Sequence, residues 1–369
     1  MPDRSIDVFW HDDALLHDTG SGVFEHPPSP LIEVSELHPE NAVRVRNIRS
    51  CLTHGPIAER LRWRDGRHAT VAELETLHAP GYVEQVRAFC QEGGGVIAWS
   101  TTVVAGSWPA ALSSAGTAIA AVEAVLDGEA ETAYALVRPP GHHAQPAMTD
   151  GYCLFSNTAL AAEAPRRRGV ERVAVIDWDV HHGNGTQACF YERNDVLTVS
   201  LHMPHGSWGA SHPQTGSCLE AGLGEGEGFN VNIELGCGSG DAAYVAAMRR
   251  VVVPIVDAYA PGLILVAAGQ DACQFDPNGR QNVSCAGFRD MAEIAQQLAD
   301  RHCQGRLVLV QEGGYARSYS AFCMHATLEG VLGTGPLLDD PMAYMPDDEL
   351  RGDAGIAAAR SSMRRYWRL

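Results

Sequence analysis

The chain has 369 residues, 45% of them hydrophobic, and a formal net charge of −18. Its length is compatible with one large α/β domain or with two or three smaller ones. The acidic charge argues against nucleic acid as a partner, because binding a polyphosphate normally requires a basic surface. It favours encounter with cationic molecules, although acidity also simply keeps a protein in solution.

The sequence also predicts the compartment. It has no uninterrupted run of about 18 apolar residues, so we expect no membrane span. The N-terminus has neither the basic start nor the apolar core of a signal peptide. Ten cysteines are scattered without a Cys-x-x-Cys pair. We therefore expect reduced thiols and a cytoplasmic location.

The predicted elements begin with an irregular segment, residues 1–45, that has only a short apolar start. Helical patterns follow at 43–61 and 70–89, and an alanine-rich helix is predicted over 109–128. Apolar strands then alternate with helices. The strands are predicted at 133–137, 172–178, 196–202, 229–235, 262–268 and 306–311, and the helices at 156–164, 241–259, 285–302 and 318–332.

This alternation is typical of a mostly parallel sheet that is covered by helices on both faces. No linker and no internal repeat interrupts it. We predict an α/β fold with a single domain over residues 1–369, in which the N-terminal segment either lines a cleft or forms part of a partner surface.

Polar clusters follow four of the predicted strands, at 138–143, 177–184, 269–271 and 312–315. In open parallel sheets the ligand site lies beyond the carboxyl ends of the strands. We therefore expect these clusters to meet at one edge of the sheet and to form one site.

Two of the clusters contain a candidate metal site. Asp179 and His181 stand two residues apart, and Asp271 follows another strand. Three protein ligands leave a position open for water and substrate, which is the pattern of a catalytic zinc site. Bound zinc lowers the pKa of water and polarises a carbonyl.

The remaining clusters supply candidate acid–base groups. His142 and His143 are adjacent, and Asp177 and Asn184 are candidate partners for their second ring nitrogens. Tyr315 follows two glycines and can donate to an oxyanion. The set predicts metal-assisted hydrolysis of a carbonyl compound, with an amide as the favoured substrate. The sequence has neither a Gly-x-Ser-x-Gly elbow nor a phosphate-binding glycine loop in the right setting.

The motifs RPPGHH, GYCLFSN, IDWDVHHGNGTQ, VSLH, AAGQDACQFDP and EGGY occur here in that order. Over residues 77–332 the chain thereby resembles the zinc-dependent histone deacetylase superfamily, which includes bacterial histone deacetylase-like amidohydrolases and acetylpolyamine amidohydrolases. The resemblance implies an arginase/deacetylase-like fold and a deacylase activity.

Position by position, the resemblance implies that Asp179, His181 and Asp271 bind zinc. It implies that His143 is the general base and that His142, paired with Asp177, is its electrostatic partner. Tyr315, in the EGGY motif, would polarise the scissile carbonyl.

The resemblance also implies potassium ions held mostly by backbone oxygens. The first site would be formed by Asp177, Asp179, His181, Ser200 and Leu201. A second would include Phe190, Arg193, Val196 and Phe229.

Departures from the family pattern concern substrate choice. Asn184 stands where one branch of the family has a carboxylate. Asparagine at this position resembles the class II branch and would leave His143 less biased toward its charged form. Gly151 and Tyr152 belong to the predicted acyl-lysine tunnel, with tyrosine in place of the usual phenylalanine. Gln270 replaces an aromatic residue before the third zinc ligand. Asn278 stands where polyamine-selective relatives carry a glutamate.

Several alternatives remain open at this point. An arginase-like pair of manganese ions would need a second carboxylate where Cys273 stands. Acyl-lysine in a peptide or protein and acetylpolyamine are rival substrates, and the absence of a glutamate at position 278 favours acyl-lysine or small acylamides. A non-catalytic acyl-lysine binder is disfavoured because every ligand and the tyrosine are retained. By resemblance to bacterial relatives, the N-terminal segment would narrow the pocket and help to build a homo-oligomer.

Overall fold

An eight-stranded parallel sheet forms the centre of the structure, a computed structural model that describes residues 4–99, 101–204 and 214–369. The strands of the described residues are β1 Ile6–Trp10, β2 Ser21–Gly22, β3 Glu36–Leu37, β4 Leu61–Asp65, β5 Gly95–Ala98, β6 Thr101–Val103, β7 Thr132–Ala135, β8 Val173–Asp177, β9 Val196–His202, β10 Asn230–Glu234, β11 Leu263–Ala268 and β12 Leu307–Gln311. The order in the main sheet is β10-β9-β8-β11-β12-β7-β1-β4. β2 with β3, and β5 with β6, form two small antiparallel hairpins.

Helices cover the sheet. They are α1 Val43–His54, α2 Val71–Leu74, α3 Pro80–Gln91, α4 Ser107–Leu126, α5 Asn157–Glu163, α6 Asn184–Phe190, α7 Asp241–Ala247, α8 Val253–Tyr259, α9 Cys285–His302, α10 Tyr319–Leu332 and α11 Asp353–Met363. A π-helical turn, Met248–Val252, joins α7 to α8.

The two faces of the sheet contribute to two separate hydrophobic cores. Successive residues of β8 alternate between them: Ala174 and Ile176 belong to the core under α9 and α10, whereas Val173 and Val175 belong to the core under α4 and α5. This alternation is what a strand buried on both faces requires. The predicted single-domain α/β fold with a mostly parallel sheet is confirmed.

Two strands of the sheet are absent from the sequence-based prediction. β1 lies in the segment that the sequence pattern left irregular, and its five residues are fully buried. β4 lies at the end of a predicted helix and carries charged residues at an exposed edge of the sheet. β1, which contains one carboxylate among apolar residues, and the charged edge strand β4 are both too short to show a clear periodic signal.

α4 is the one helix in the described part of the chain that is long and apolar enough to cross a membrane. However, 72% of its apolar stretch is buried inside the protein. Its small residues pack against the sheet and against α5, so its composition is that of a core helix.

The parallel order brings the carboxyl ends of four central strands together. β8 ends at Asp177, β11 at Ala268, β12 at Gln311 and β7 at Ala135, and these strands are neighbours in the sheet. The loops that follow them therefore converge at one edge.

The close packing of α4 against the loop after β4 can be tested at Gly116. A Cβ at this position would lie 2.2 Å from the Ala69 nitrogen and from the Arg67 carbonyl oxygen. We expect Gly116→Ala to lower the free energy of unfolding by about 1–3 kcal/mol, since backbone has to move. Thermal melting followed by circular dichroism provides the measurement.

Gly81→Ala is the matched control, because a methyl group on that helical glycine would meet no atom within 4 Å apart from its chain neighbours and the backbone of its own helix. This change should leave the melting temperature unchanged or slightly higher, because alanine favours a helix by up to about 1 kcal/mol. Equal melting temperatures for both variants would contradict the packing described for α4.

Candidate functional site

Asp179, His181 and Asp271 meet at the carboxyl edge of the sheet. The first two follow β8, the third follows β11, and all three are buried. The His181 Nδ1 lies 3.1 Å from Asp179 Oδ1 and 3.0 Å from Asp271 Oδ2. The ligand atoms that the three residues offer lie within 4.8 Å of one another. The three residues predicted to bind zinc are thus brought together.

Glycine backbone encloses these carboxylates. A Cβ at Gly269 would lie 2.2 Å from Asp179 Oδ2, and one at Gly313 would lie 2.2 Å from Asp271 Oδ2. The Gly313 N–H donates to Asp179 Oδ2 over 2.7 Å, and the Val180 N–H donates to Asp271 Oδ1 over 2.8 Å. Any side chain at the two glycines would push the carboxylates out of position.

The electrostatics of the cluster favour a cation. Burial, followed by the charge of Asp179, raises the pKa of Asp271 to about 7. Burial alone would lower the pKa of His181, but the charges and hydrogen bonds of Asp271 and Asp179 outweigh it and raise the pKa to about 10. Two buried carboxylates that repel each other are stabilised by a cation between them. The donor set of two carboxylates and one imidazole fits a divalent metal such as zinc with an open position.

The adjacent histidines each have a partner on the Nδ1 side. The Nδ1 of His142 lies 2.9 Å from Asp177 Oδ2, and the Nδ1 of His143 lies 2.7 Å from Asn184 Oδ1. The two imidazole rings are 4.0 Å apart at their centroids, and the ring of His143 is 5.9 Å from that of His181. Although burial opposes it, the carboxylates of Asp179 and Asp177 raise the pKa of His142 well above its ordinary value.

Two further carboxylates, which the sequence did not indicate, support this pair. Asp150 accepts a hydrogen bond of 2.8 Å from the Asn184 Nδ2 and so orients the amide. Glu312 Oε2 accepts the backbone N–H groups of Gly141 and His142, at 2.6 and 3.0 Å. Glu312 belongs to the EGGY motif, but nothing in its spacing indicates that it holds the histidine loop.

Tyr315 is held from both sides. Its N–H and that of Ala316 donate to Asp276 Oδ2 over 2.6 and 3.0 Å. The guanidinium of Arg44 lies over the phenol ring, 4.5 Å from its centroid, and its Nε donates to the Gly314 carbonyl over 2.6 Å. Burial raises the pKa of Tyr315 well above its ordinary value, so the phenol keeps its proton and can act as a donor.

A cleft with a volume of about 380 Å³ leads down to His181, His143 and Tyr315. Its other lining residues are Phe24, Glu25, Trp99, Gly151, Tyr152, Met203, Pro204, Pro277, Asn278 and Arg280. Gly151 has a φ of 49°, and a Cβ there would lie 2.4 Å from the His143 ring. Three of the residues predicted to bind substrate, Gly151, Tyr152 and Asn278, therefore line the cleft.

The N-terminal segment contributes Glu25 to this cleft. The Tyr152 hydroxyl donates to the Glu25 carboxylate and accepts from Asn278 Nδ2 over 3.0 Å. The resemblance pointed to a substrate-facing carboxylate only at position 278, where this chain has asparagine. It did not point to Glu25. The contact joins residues 127 positions apart, and no motif includes Glu25.

The structure corrects the assignment of Gln270. Its side chain is fully buried and does not line the cleft. Its Nε2 donates to the Ala268 carbonyl over 2.5 Å, and its Oε1 accepts from Gln311 Nε2 over 2.9 Å. The amide needs hydrogen-bond partners when buried, and it finds them between β11 and β12 instead of at the substrate wall.

The residues predicted to bind potassium lie along β8, β9 and the loops beside them. Ser200 is the register partner of Asp177 in the pairing of β8 with β9, and Leu201 follows it. For the second site, Phe190 ends α6 and its carbonyl accepts the Arg193 N–H over 3.0 Å.

The other two residues of that second group flank the pairing of β9 with β10. Val196 begins β9. The carbonyl of Phe229 accepts the Thr198 N–H over 2.9 Å. The segments of the second group are thus adjacent, but two of their carbonyl oxygens already accept backbone hydrogen bonds.

Comparisons with known proteins agree with this geometry. The model of the histone deacetylase domain matches residues 38–331. The chain is 48% identical to histone deacetylase 8 of Arabidopsis thaliana, covering 98% of this chain and 97% of the relative. It is 43% identical to the histone deacetylase-like amidohydrolase of Pseudomonas aeruginosa, covering 92% and 89%. The crystal structure of the HDA15 HD domain superposes with a TM-score of 0.85 at 32% identity, covering 99% of this chain and 96% of the other.

If the cluster of Asp179, His181 and Asp271 binds zinc, a variant that lacks one of these ligands should bind less zinc than wild type. Asp271→Ala should reduce the zinc bound by purified protein from close to one equivalent to below about a tenth, because one ligand and its charge are lost. Inductively coupled plasma mass spectrometry measures the content. Asp348→Ala removes an exposed carboxylate and should change nothing. Full zinc content in Asp271→Ala would exclude this cluster as the metal site.

Proposed function

Because the chain belongs to the histone deacetylase family, we propose that it is a zinc-dependent amidohydrolase. It removes acetyl or other short acyl groups from acyl-lysine or related acylated amines. The observation that carries this proposal is the buried cluster of Asp179, His181 and Asp271 at the floor of a cleft, with His143 and Tyr315 beside it.

Zinc, when held by Asp179, His181 and Asp271, would supply a Lewis acid that lowers the pKa of a water molecule and polarises the amide carbonyl. The buried cluster of two carboxylates and one imidazole supports this assignment, and the oxygen and nitrogen donor set is suited to it. The residues around the cluster then have to move protons and hold charge.

His143 is the general base. Its Nδ1 is occupied by the Asn184 carbonyl oxygen, so its Nε2 is the nitrogen that takes a proton from the attacking water. An amide oxygen, unlike a carboxylate, adds no full negative charge beside the ring, which keeps the neutral base accessible.

His142 stabilises charge. With Asp177 on its Nδ1 and a raised pKa, it is held in the protonated form beside the base. It offsets the buried negative charge of the site.

Tyr315 completes the reaction. Its phenol donates a hydrogen bond to the oxygen of the carbonyl as negative charge develops there. The C–N bond then breaks, and the proton taken by His143 passes to the leaving amine. Overall, an amide and a water molecule are converted to a carboxylate and an amine.

Further features of the proposal concern ions, location and assembly. We propose a structural potassium ion near Asp177, Ser200 and Leu201, and a second near the start of β9; the adjacency of these segments supports both. All ten cysteines are free, which supports the cytoplasmic location expected from sequence. The N-terminal segment, whose Glu25 lines the cleft, is our candidate for an oligomer contact.

Two other functions are alternatives to a deacylase that acts on acyl-lysine. An acetylpolyamine deacetylase would use the same chemistry on a small cationic substrate. A non-catalytic acyl-lysine binder would not need a complete set of metal ligands, tandem histidines and tyrosine. The structure brings the three metal ligands together and pairs each of the adjacent histidines with a hydrogen-bond partner, which supports an enzyme over a non-catalytic binder.

The assigned roles predict large losses of turnover. Tyr315→Phe removes the oxyanion donor and should lower kcat by about a hundredfold to a thousandfold. His143→Ala removes the base and should lower kcat by at least about a hundredfold. Acetate release from an acetyl-lysine peptide provides the measurement, with circular dichroism and zinc content as controls for folding. Near-wild-type rates in well-folded variants would overturn the assignments.

The hydrogen bond from Asn184 to Asp150 predicts that Asp150 positions the Asn184 amide for His143. Asp150→Ala frees the Asn184 amide to turn its NH₂ group toward His143, and kcat should fall by about tenfold to a hundredfold. Asp150→Asn retains an oxygen that can accept the same hydrogen bond, and most of the activity should return. Equal losses in both variants would show that the charge of Asp150, rather than its acceptor role, is what matters.

A further inference from the structure

Glu25 is the one carboxylate among the described residues that line the cleft. It comes from the N-terminal segment, far from the motifs that build the catalytic floor. It is only partly buried, so its carboxylate remains accessible from the cleft. No step of the proposed hydrolysis uses it.

The backbone presents Glu25 at the tip of a tight turn. The N–H of Val23 donates to the His26 carbonyl over 2.9 Å, and the N–H of His26 donates to the Val23 carbonyl over 3.0 Å. Phe24 adopts a φ of 58°, a conformation that costs a bulky residue energy. A Cβ at Gly22 would lie 1.9 Å from the His26 carbonyl oxygen, so the turn needs glycine there.

A chain of hydrogen bonds fixes the carboxylate. Asn278 Nδ2 donates to the Tyr152 hydroxyl, and that hydroxyl donates to Glu25 Oε1. Burial, followed by the charge of Glu25, raises the pKa of Tyr152 well above its ordinary value, so the phenol remains a donor. A carboxylate has lone pairs on both oxygens, and a single donor leaves capacity to accept from a ligand.

The surroundings of Glu25 suit a cation. Phe24, Trp99 and Tyr152 line the same cleft, and Trp99 is 56% exposed. Aromatic faces attract ammonium groups, and the attraction adds to that of a carboxylate. Arg280 also lines the cleft, but its guanidinium donates to the Pro277 and Gly279 carbonyls over 3.0 and 2.5 Å.

The Tyr152 side chain connects the two ends of the cleft. Its ring meets that of Tyr315 edge-on at 5.6 Å, and its hydroxyl meets Glu25. An acylated amine whose amide is held at the floor can therefore extend along Tyr152 and place its far end at Glu25.

We propose that Glu25 determines specificity by binding a second, positively charged end of the substrate. The preferred substrate class is a mono-acylated diamine or polyamine, whose acyl end reaches the floor while its free ammonium meets Glu25. This inference rests on the amidohydrolase function proposed above, and it decides between the two substrate classes that the sequence left open.

The test uses three amides that share one chain and differ only in terminal charge. They are N-acetylputrescine, which ends in an ammonium, N-pentylacetamide, which is neutral, and 5-acetamidopentanoate, which ends in a carboxylate. kcat/KM is measured on the zinc-loaded full chain for wild type, Glu25→Gln and Glu36→Gln. Glu36 is the matched control, because it is an exposed glutamate of the same segment that does not line the cleft.

We expect wild type and Glu36→Gln to prefer the cationic amide over the neutral one by about fivefold or more, and Glu25→Gln to lose that preference. The wild-type preference should also fall as sodium chloride is raised, a result that needs no variant to fold. A preference that is absent, or that survives in well-folded Glu25→Gln, overturns the inference. Preference for the carboxylate would assign the site to Arg280 instead. Hydrolysis of none of the three amides or of an acetyl-lysine peptide would instead refute the proposed function.

Discussion

Negative charge buried at the carboxyl edge of the sheet is the constraint on which the site depends. Asp177, Asp179 and Asp271 are each at most 2% exposed, and they stand at the ends of adjacent strands. Carboxylates so placed are unstable without compensation, because burial removes water and their charges repel. His142 supplies part of the compensating charge. The proposed zinc, which would bind His181 as a neutral imidazole, would supply the rest.

Buried charge also connects the N-terminal residues to the rest of the domain. Arg44 donates to the Glu312 carbonyl over 2.7 Å, beside the tyrosine loop, and Arg138, which begins the RPPGHH motif, donates to the Ala14 carbonyl over 3.1 Å. Both guanidinium groups pair with Glu40 Oε1 at 2.8 Å, and all three side chains are fully buried. Although burial opposes it, Arg138 and Arg44 hold the pKa of Glu40 well below its ordinary value. Loss of Glu40 would leave two buried guanidinium groups without their shared carboxylate.

The sequence was sufficient for those parts of the site whose residues are close together in the chain or follow long apolar strands. The pairings of His142 with Asp177 and of His143 with Asn184 were expected, because each cluster follows a strand of a parallel sheet. Asp150 and Glu25 were not expected, because neither directly follows a long apolar strand and no motif spacing marks their hydrogen bonds to Asn184 and Tyr152. Whether a side chain such as Gln270 faces the cleft or the core depends on packing that a sequence pattern does not contain.

The most direct test of this account is a zinc titration of the metal-stripped protein, followed by acetate release from an acylated amine. We expect no turnover without metal and a linear rise of the rate to a plateau at about one zinc per chain. Full turnover by metal-free protein, or a plateau that requires two metal ions per chain, would contradict it.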